Sequence, residues 1–362
     1  MNRALIAAAG TGGHIFPALA VAETLRNDGW QVDWLGTREG RLESRVIPAA
    51  GFSLHSISMT GVRGHGLLRK LKMPLVLAKA VLQCRRLLKQ LQPNVVVTFG
   101  GYVCAPMGIA AKMMGIPLLV HEQNAVPGMT TRLLAPRATN VFLGLPVATP
   151  QWRRYSVVGN PLRQAFTEVV KTHQEDKSIA GPITILVVGG SLGAKVLNEQ
   201  VPQAVQQLVD VELNVVHQCG QGNEASTKAA YAGAEVISSL AVHEFIDDMA
   251  SEFAKADLVI CRAGALTVSE LAAVGVASIL VPLPHAVDDH QTANAKVLES
   301  CGAALLMPQK ELENGALAIH LKRLLHDRQQ LWTMARFARE RGMPEATQRL
   351  ANECKRFEKS DD

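Results

Sequence analysis

Twice along this 362-residue chain a short apolar run stops at a cluster of glycines and gives way to a helical pattern. Residues 4–9 lead into Gly10-Thr11-Gly12-Gly13-His14 and then the helical stretch 18–27, and residues 182–188 lead into Gly189-Gly190-Ser191-Leu192-Gly193. A strand that is followed by a helix and then another strand pairs with its successor in parallel, through a crossover. The alternation therefore commits the chain to α/β folding with doubly wound parallel sheets. Further strands are expected at 31–35, 95–99, 117–121, 140–143, 214–218, 258–261 and 278–281.

The length exceeds what one hydrophobic core usually organises, and the repeated strand, glycine turn and helix start point to two related Rossmann-like domains facing a cleft. The expected boundaries are 1–160 and 161–344. Pro344 interrupts the helical text, and the amphipathic stretch beginning at Glu345 is expected to pack residues 345–362 back on the first domain.

Apolar residues make up 48% and charged ones 19%, enough to bury a core and unlike a disordered chain. Cys84, Cys104, Cys219, Cys261, Cys301 and Cys354 include no C-x-x-C pair, so they read as reduced thiols rather than a zinc site or disulfide framework. No stretch offers the roughly 20 apolar residues of a membrane span, since Pro93, Asn94, Gly100, Gly101 and Pro106 divide the uncharged region 90–111. Residues 4–9 are too short for a signal-peptide core, and no export is expected. Charge is split: residues 1–160 carry 18 Lys and Arg against 6 Asp and Glu, the remainder 19 against 26. The first half is suited to an anionic surface.

A third glycine turn, Phe99-Gly100-Gly101-Tyr102-Val103, joins the two above. Each such turn is either a tight strand-to-helix connection or a place where a ligand meets main chain and unpaired helix-start amides. A dinucleotide enzyme is disfavoured, because G-x-G-x-x-G from Gly10 would need glycine where Ile15 stands. Asp33 then reads as a solvated strand-end residue. Glu270 lies about one and a half turns into a helix beginning near Ala265, where it can accept both hydroxyls of a ribose or answer the helix dipole. The acids Asp247-Asp248 and Asp288-Asp289 precede helical patterns and read as caps, so no metal and no cofactor is expected. Over Leu67–Leu91, Arg69, Lys70, Lys72, Lys79, Arg85, Arg86 and Lys89 stand among leucines and valines without an acid. This is either a helix with a solvated basic face or a surface that docks on anionic lipid. Nucleic acid is disfavoured, with 4% aromatic residues and no reader motif.

Gly10-Thr11-Gly12-Gly13-His14 with Pro17, Gly100-Gly101-Tyr102-Val103, His121-Glu122-Gln123-Asn124, Gly159-Asn160-Pro161-Leu162-Arg163, Gly189-Gly190-Ser191-Leu192-Gly193-Ala194, residues 264–270 and His290-Gln291-Thr292-Ala293-Asn294-Ala295 occur in one order. Together they closely resemble the bacterial N-acetylglucosaminyltransferases of glycosyltransferase family 28 that act on undecaprenyl-pyrophosphoryl-N-acetylmuramyl-pentapeptide. The resemblance implies a two-domain GT-B fold, peripheral at the cytoplasmic face of the inner membrane. It implies inverting transfer of N-acetylglucosamine from UDP-N-acetylglucosamine to the C4 hydroxyl of the muramyl sugar of lipid I, giving lipid II for peptidoglycan. The donor, lipid I, the anionic membrane and other cell-wall enzymes are the implied partners.

Carried over to this sequence, Ser191 and Arg163 would meet the diphosphate and the main chain of Ile246 the uracil. The helix start Ala265, Leu266 and Thr267 would meet phosphate, Val268 and Ser269 would belong to the same donor site, Glu270 would take the ribose, and Gln291 with Asn294 the sugar hydroxyls. Thr11, Gly12, Gly13 and Asn124 would line the other side, and Gly100, Gly101 and Tyr102 would take the acceptor. His14 is the expected general base, with Glu122 as the alternative. The chain departs from the family at Ala9, where another glycine is frequent, and at Cys104, Ala105 and Met107, which are bulkier than usual after the second turn. Another UDP-sugar transferase, a UDP-N-acetylglucosamine 2-epimerase and a nucleic-acid-binding module are the competing readings.

Overall fold

A computed structural model of the chain describes residues 2–37, 42–57, 67–147, 152, 154–172, 181–190, 192–284 and 287–359, and for 67–72, 171, 172 and 287 the backbone alone. It comprises two compact units, Met1–Arg163 with Glu345–Asp362, and Gln164–Pro344.

The first unit is built on strands β1 (Arg3–Ala7), β2 (Gln31–Thr37), β3 (Ser53–Ile57), β4 (Val95–Thr98), β5 (Leu118–Glu122), β6 (Asn140–Leu143) and β7 (Tyr155–Val157). They form one parallel sheet in the order β3-β2-β1-β4-β5-β6-β7. The second unit contains β8 (Ile183–Val188), β9 (Leu213–Gln218), β10 (Ile237–His243), β11 (Leu258–Cys261), β12 (Ala277–Leu280) and β13 (Ala304–Leu306), parallel in the order β10-β9-β8-β11-β12-β13. Each sheet reverses its strand order beside its first strand, between β1 and β4 and between β8 and β11. Such a switch point opens a crevice beyond the carboxyl ends of the strands.

Central strands are covered on both faces by helices and are mostly apolar, as parallel sheets require. In β1, Ala4 and Ile6 enter one core layer while Leu5 and Ala7 enter the other, and all four are inaccessible. Helices end where glycine takes a left-handed conformation: at Gly115 (φ 70°) the helix Cys104–Met113 stops and the Ile116 N–H reaches back to the Ala111 carbonyl at 3.0 Å. The last helix, Ala346–Lys355, inserts Leu350, Ala351 and Cys354 into the first unit's core beside the helix Gly12–Asn27. Trp30 Nε1 donates to Glu358 at 3.1 Å and Asn94 Nδ2 to the Phe357 carbonyl at 3.1 Å, fixing the returning segment.

Asp33 differs from expectation. Strand β2 extends past it, so the carboxylate is buried and flanked from both neighbouring strands by His55 Nε2 at 2.9 Å and Arg3 Nε at 3.7 Å.

Each unit also encloses a neutral histidine. His121 Nε2 donates to the Gly159 carbonyl at 3.0 Å, and its Nδ1 lies 3.1 Å from Gln123 Nε2. His217 Nε2 donates to Asn198 Oδ1 at 3.1 Å while Nδ1 accepts from the Tyr231 hydroxyl at 2.9 Å. Burial pushes both imidazoles down to about 4 from an ordinary 6.5. Between those two values the unfolded chain binds the extra protons, so acidification from pH 6.5 towards 4 destabilises the fold, on the order of 1–3 kcal/mol per histidine. In His217→Gln the fall in unfolding midpoint between pH 7 and pH 5 should shrink, although the variant starts lower at pH 7; a fall equal to that of the unaltered chain would contradict this.

Candidate functional site

In the first unit the three segments singled out by sequence follow β1, β4 and β5, at the carboxyl edge of the sheet. After β1, Gly10 (φ 99°) turns the chain and the helix Gly12–Asn27 begins at Thr11 with no side-chain cap. The His14 and Ile15 amides turn back to the Thr11 carbonyl at 3.0 and 3.1 Å, and those of Gly12 and Gly13 stand at the positive end of the helix dipole. After β4, Gly100 (φ 111°) and Gly101 (φ 89°) fold against that first turn. A Cβ on Gly101 would stand 2.5 Å from the Ala9 carbonyl oxygen, and one on Gly100 would stand 2.7 Å from His14 Cδ2 and 2.8 Å from His14 Nε2. Only glycine permits this approach.

His14 is half-buried, and its Nδ1 lies 3.2 Å from the Ala9 carbonyl and 3.5 Å from Thr11 Oγ1. A carbonyl oxygen only accepts, so Nδ1 carries the proton and Nε2, on the Gly100 side, holds the lone pair of the neutral ring. Cys104 and Met107 are fully buried, with the Cys104 thiol directed at the carbonyls of Ala7 and Gly100 at 3.1 and 3.0 Å. Their bulk thus fills the core beneath the turn rather than its surface.

Glu122 sits at the end of β5, inside the loop that follows it. Its buried carboxylate accepts the Asn124 amide N–H at 3.0 Å, Asn124 Nδ2 at 3.3 Å, the Gly128 N–H at 2.9 Å and the Thr131 hydroxyl at 2.5 Å. Four donors on one carboxylate fix the loop and orient Asn124. Thr130 Oγ1 in turn donates to the Gly101 carbonyl at 3.4 Å, joining this loop to the second glycine turn. Asn160, also buried, donates to the Gln123 carbonyl at 3.0 Å and lies against Gly144, and both main-chain groups of Leu162 bond Thr347 Oγ1. This anchoring delivers Arg163, exposed, at the end of the unit.

In the second unit the equivalent positions follow β8 and β11. Ser191 lies outside the described residues. The amides of Gly189, Gly190 and Gly193 are donated inside the protein, to the Gln218 carbonyl, Gln218 Oε1 and the Gly190 carbonyl at 3.1, 2.9 and 2.8 Å. The turn then leads through Leu192 and Ala194 into the helix Lys195–Val205. Gly193 (φ 73°) presses on the next turn, where its Cβ would stand 2.1 Å from the Cys219 carbonyl oxygen.

After β11 the chain reaches Gly264, in extended conformation, and the helix Ala265–Val274 starts without a side-chain cap. Ala265 and Val268 are buried, whereas Leu266, Thr267, Ser269 and Glu270 are partly accessible. Ile246 is partly accessible just beyond β10. Gln291 Oε1 accepts the Leu283 N–H at 2.9 Å. Asn294 is completely buried and donates to the Ala263 carbonyl at 3.2 Å, which braces the helix start from behind. Asp288 and Asp289 both hold left-handed backbone (φ 55° and 49°) just ahead of His290, a strained entry into the helix His290–Glu299. Asp248 caps its helix through the Ser251 N–H and hydroxyl at 3.1 and 2.6 Å, hydrogen bonds that hold its carboxyl below the usual range. Among the described residues no three His, Cys, Asp or Glu side chains converge on a metal position.

Two contributors were passed over in the sequence. Gln218, at the end of β9, clasps the Gly190 peptide, and Arg262 bonds the carbonyls of Val281 and Pro282 at 3.3 and 3.2 Å and Gln309 Oε1 at 2.9 Å. Each is a polar residue closing an apolar strand run, a visible but general signal.

Models of the glycosyltransferase family 28 N-terminal and C-terminal domains match residues 4–143 and 184–350. Over all 362 residues of both chains, this chain is 73% identical to the UDP-N-acetylglucosamine--N-acetylmuramyl-(pentapeptide) pyrophosphoryl-undecaprenol N-acetylglucosamine transferase of Idiomarina loihiensis. It is 51% identical to the like-named protein of Aeromonas hydrophila, covering 98% of this chain and 96% of that one. The crystal structure of Acinetobacter baumannii MurG superposes with a TM-score of 0.86 at 43% identity, covering 98% of this chain and 100% of that one. A UDP-GlcNAc 2-epimerase from Neisseria meningitidis shares the fold alone, with a TM-score of 0.65 at 12% identity over 97% and 99% of the two chains.

The two left-handed glycines of the β8 turn should differ on substitution. Nothing lies within 4 Å of a Cβ at Gly190, so Gly190→Ala should cost only the conformational term of about 1–2 kcal/mol. Gly193→Ala must also move main chain and should exceed that by at least roughly 2 kcal/mol in denaturant unfolding; equal losses would refute the close approach.

Proposed function

The chain belongs to glycosyltransferase family 28, and we propose that it transfers N-acetylglucosamine from UDP-N-acetylglucosamine to the C4 hydroxyl of the N-acetylmuramyl sugar of lipid I. The product is the β-1,4-linked disaccharide of lipid II, the peptidoglycan precursor. The observation that carries this is identity of 73% across the full length of a transferase named for that donor and acceptor.

Inversion at the anomeric carbon needs one displacement: the acceptor oxygen attacks from the face opposite UDP and loses a proton as the diphosphate departs. His14 suits proton removal, because the Ala9 carbonyl fixes its Nδ1–H and so turns the basic Nε2 towards the Gly100–Gly101 turn, where Tyr102 and the acceptor belong. Glu122 acts through Asn124 rather than on the hydroxyl. The departing diphosphate is met by the helix start at Ala265–Thr267, the later amides of the Ser191 turn and the Arg163 guanidinium, donors that stabilise the charge growing there. Glu270 takes the ribose hydroxyls, Ile246 the uracil, and Gln291 the sugar. Asn294 serves by bracing the Ala263 carbonyl.

A soluble nucleotide sugar and a lipid-linked acceptor meet at the cytoplasmic surface of the inner membrane, so the enzyme works there as a peripheral protein. No helix among the described residues is long and apolar enough to cross a membrane. The helix Leu67–Leu91 supports surface docking: Ala80, Val81, Cys84 and Leu88 are buried, while Leu75 (74% exposed), Lys79, Leu82 (54%), Arg86 and Lys89 share the outer face. Met113, Met129 and Leu133, on the next two helices of this unit, Cys104–Met113 and Met129–Leu134, are exposed as well. Through its product the enzyme serves wall synthesis, hence cell shape and division, alongside other cell-wall enzymes.

Incubation with labelled UDP-N-acetylglucosamine and a short-chain lipid I analogue should yield a labelled disaccharide lipid; conversion of the nucleotide sugar to its 2-epimer without transfer would overturn the reading. Glu270→Ala should raise the donor KM about tenfold or more, the scale of losing a charge-assisted hydrogen bond, and leave the acceptor KM nearly unchanged. Reversing Lys79, Arg86 and Lys89 to Glu should abolish binding to anionic vesicles at low salt, and unchanged partitioning would dismiss this face.

A further inference from the structure

Gln218, the last residue of β9, is 2% exposed and directs its amide at the glycine turn after β8. Oε1 accepts the Gly190 N–H at 2.9 Å, and Nε2 donates to the Gly190 carbonyl at 3.0 Å and to the Glu244 carbonyl at 2.8 Å. Chemistry fixes this orientation, since exchanging oxygen and nitrogen would set N–H against N–H and oxygen against two carbonyls. Its main-chain carbonyl also takes the Gly189 N–H. Glu244 lies two residues before Ile246, and its carboxylate accepts the Gly222 N–H at 2.7 Å. One buried side chain therefore joins the turn that opens the helix Lys195–Val205 to the strand end that leads into Ile246.

We propose that Gln218 is a positioning residue for the nucleotide: it holds the diphosphate turn and the uracil-reading segment at the separation a uridine diphosphate spans. This rests on the assignment of those two segments to diphosphate and uracil. An apolar side chain at 218 removes the partner of the Gly190 N–H and of the Glu244 carbonyl and leaves the Gly190 carbonyl with the Gly193 N–H alone, and a carboxylate faces both carbonyls with negative charge. In either case the turn and the strand end drift independently, and ligand parts that had bound as a unit bind as separate pieces.

Gln218→Met and Gln218→Glu should each raise the KM for UDP-N-acetylglucosamine roughly tenfold or more, while kcat and the acceptor KM change by less than about threefold. By calorimetry, UDP should lose more affinity than uridine, which occupies one segment only. A purely structural role would lower the unfolding midpoint and weaken both ligands alike. Hydrogen exchange on the unaltered protein supplies a measurement independent of any variant: the Gly190 amide should be protected without ligand. A wild-type donor KM in both variants, equal loss of UDP and uridine affinity, or fast exchange at Gly190 would each overturn the proposal. Failure of the unaltered protein to take up UDP would instead remove the glycosyltransferase reading beneath it.

Discussion

Main chain pressed directly against main chain at the carboxyl edge of each sheet is the contact on which the remaining geometry depends. In the first unit it is Gly101 against the Ala9 carbonyl, and in the second Gly193 against the carbonyl of Cys219. No side chain intervenes, so the spacing between neighbouring strand-to-helix turns is set by van der Waals radii rather than by rotamers. That rigidity suits a reaction whose rate depends on donors already in place when charge develops. It also explains why much of the polar machinery lies one layer behind the turns: Glu122, Gln218, Asn198 and Asn294 are all buried and all bond loop main chain.

The architecture was legible where physics made it redundant. Central strands such as β1, β4, β8 and β11 are largely buried on both faces and read as mostly apolar runs. The four strands absent from the sequence reading, β3, β7, β10 and β13, are the four sheet edges. Ser53-Leu54-His55-Ser56-Ile57 is half polar because one side of an edge strand meets water, and its text is that of a loop. Asp33 was misjudged for a related reason: nothing local announces that Arg3 and His55 will flank it from neighbouring strands.

Site residues divided similarly. Glycine turns and the helix start after β11 announce themselves by composition, since few residues tolerate those backbones. Direction does not. Glu122 and Asn294 are legible as polar residues, but their partners at Thr131 and Ala263 are set by tertiary packing. Gln218 offered no pattern at all, because a single polar residue ending a strand is ordinary until the turn opposite it is known.

The return of the last helix has a consequence for biosynthesis. Residues 164–344 are inserted into the first unit, whose core includes Leu350, Ala351 and Cys354. A ribosome making this chain therefore releases the second unit's sequence entire before the first can close its own interior. Until then the helix Gly12–Asn27 keeps an apolar flank bare, so a nascent or C-terminally clipped chain is the form most in need of a chaperone.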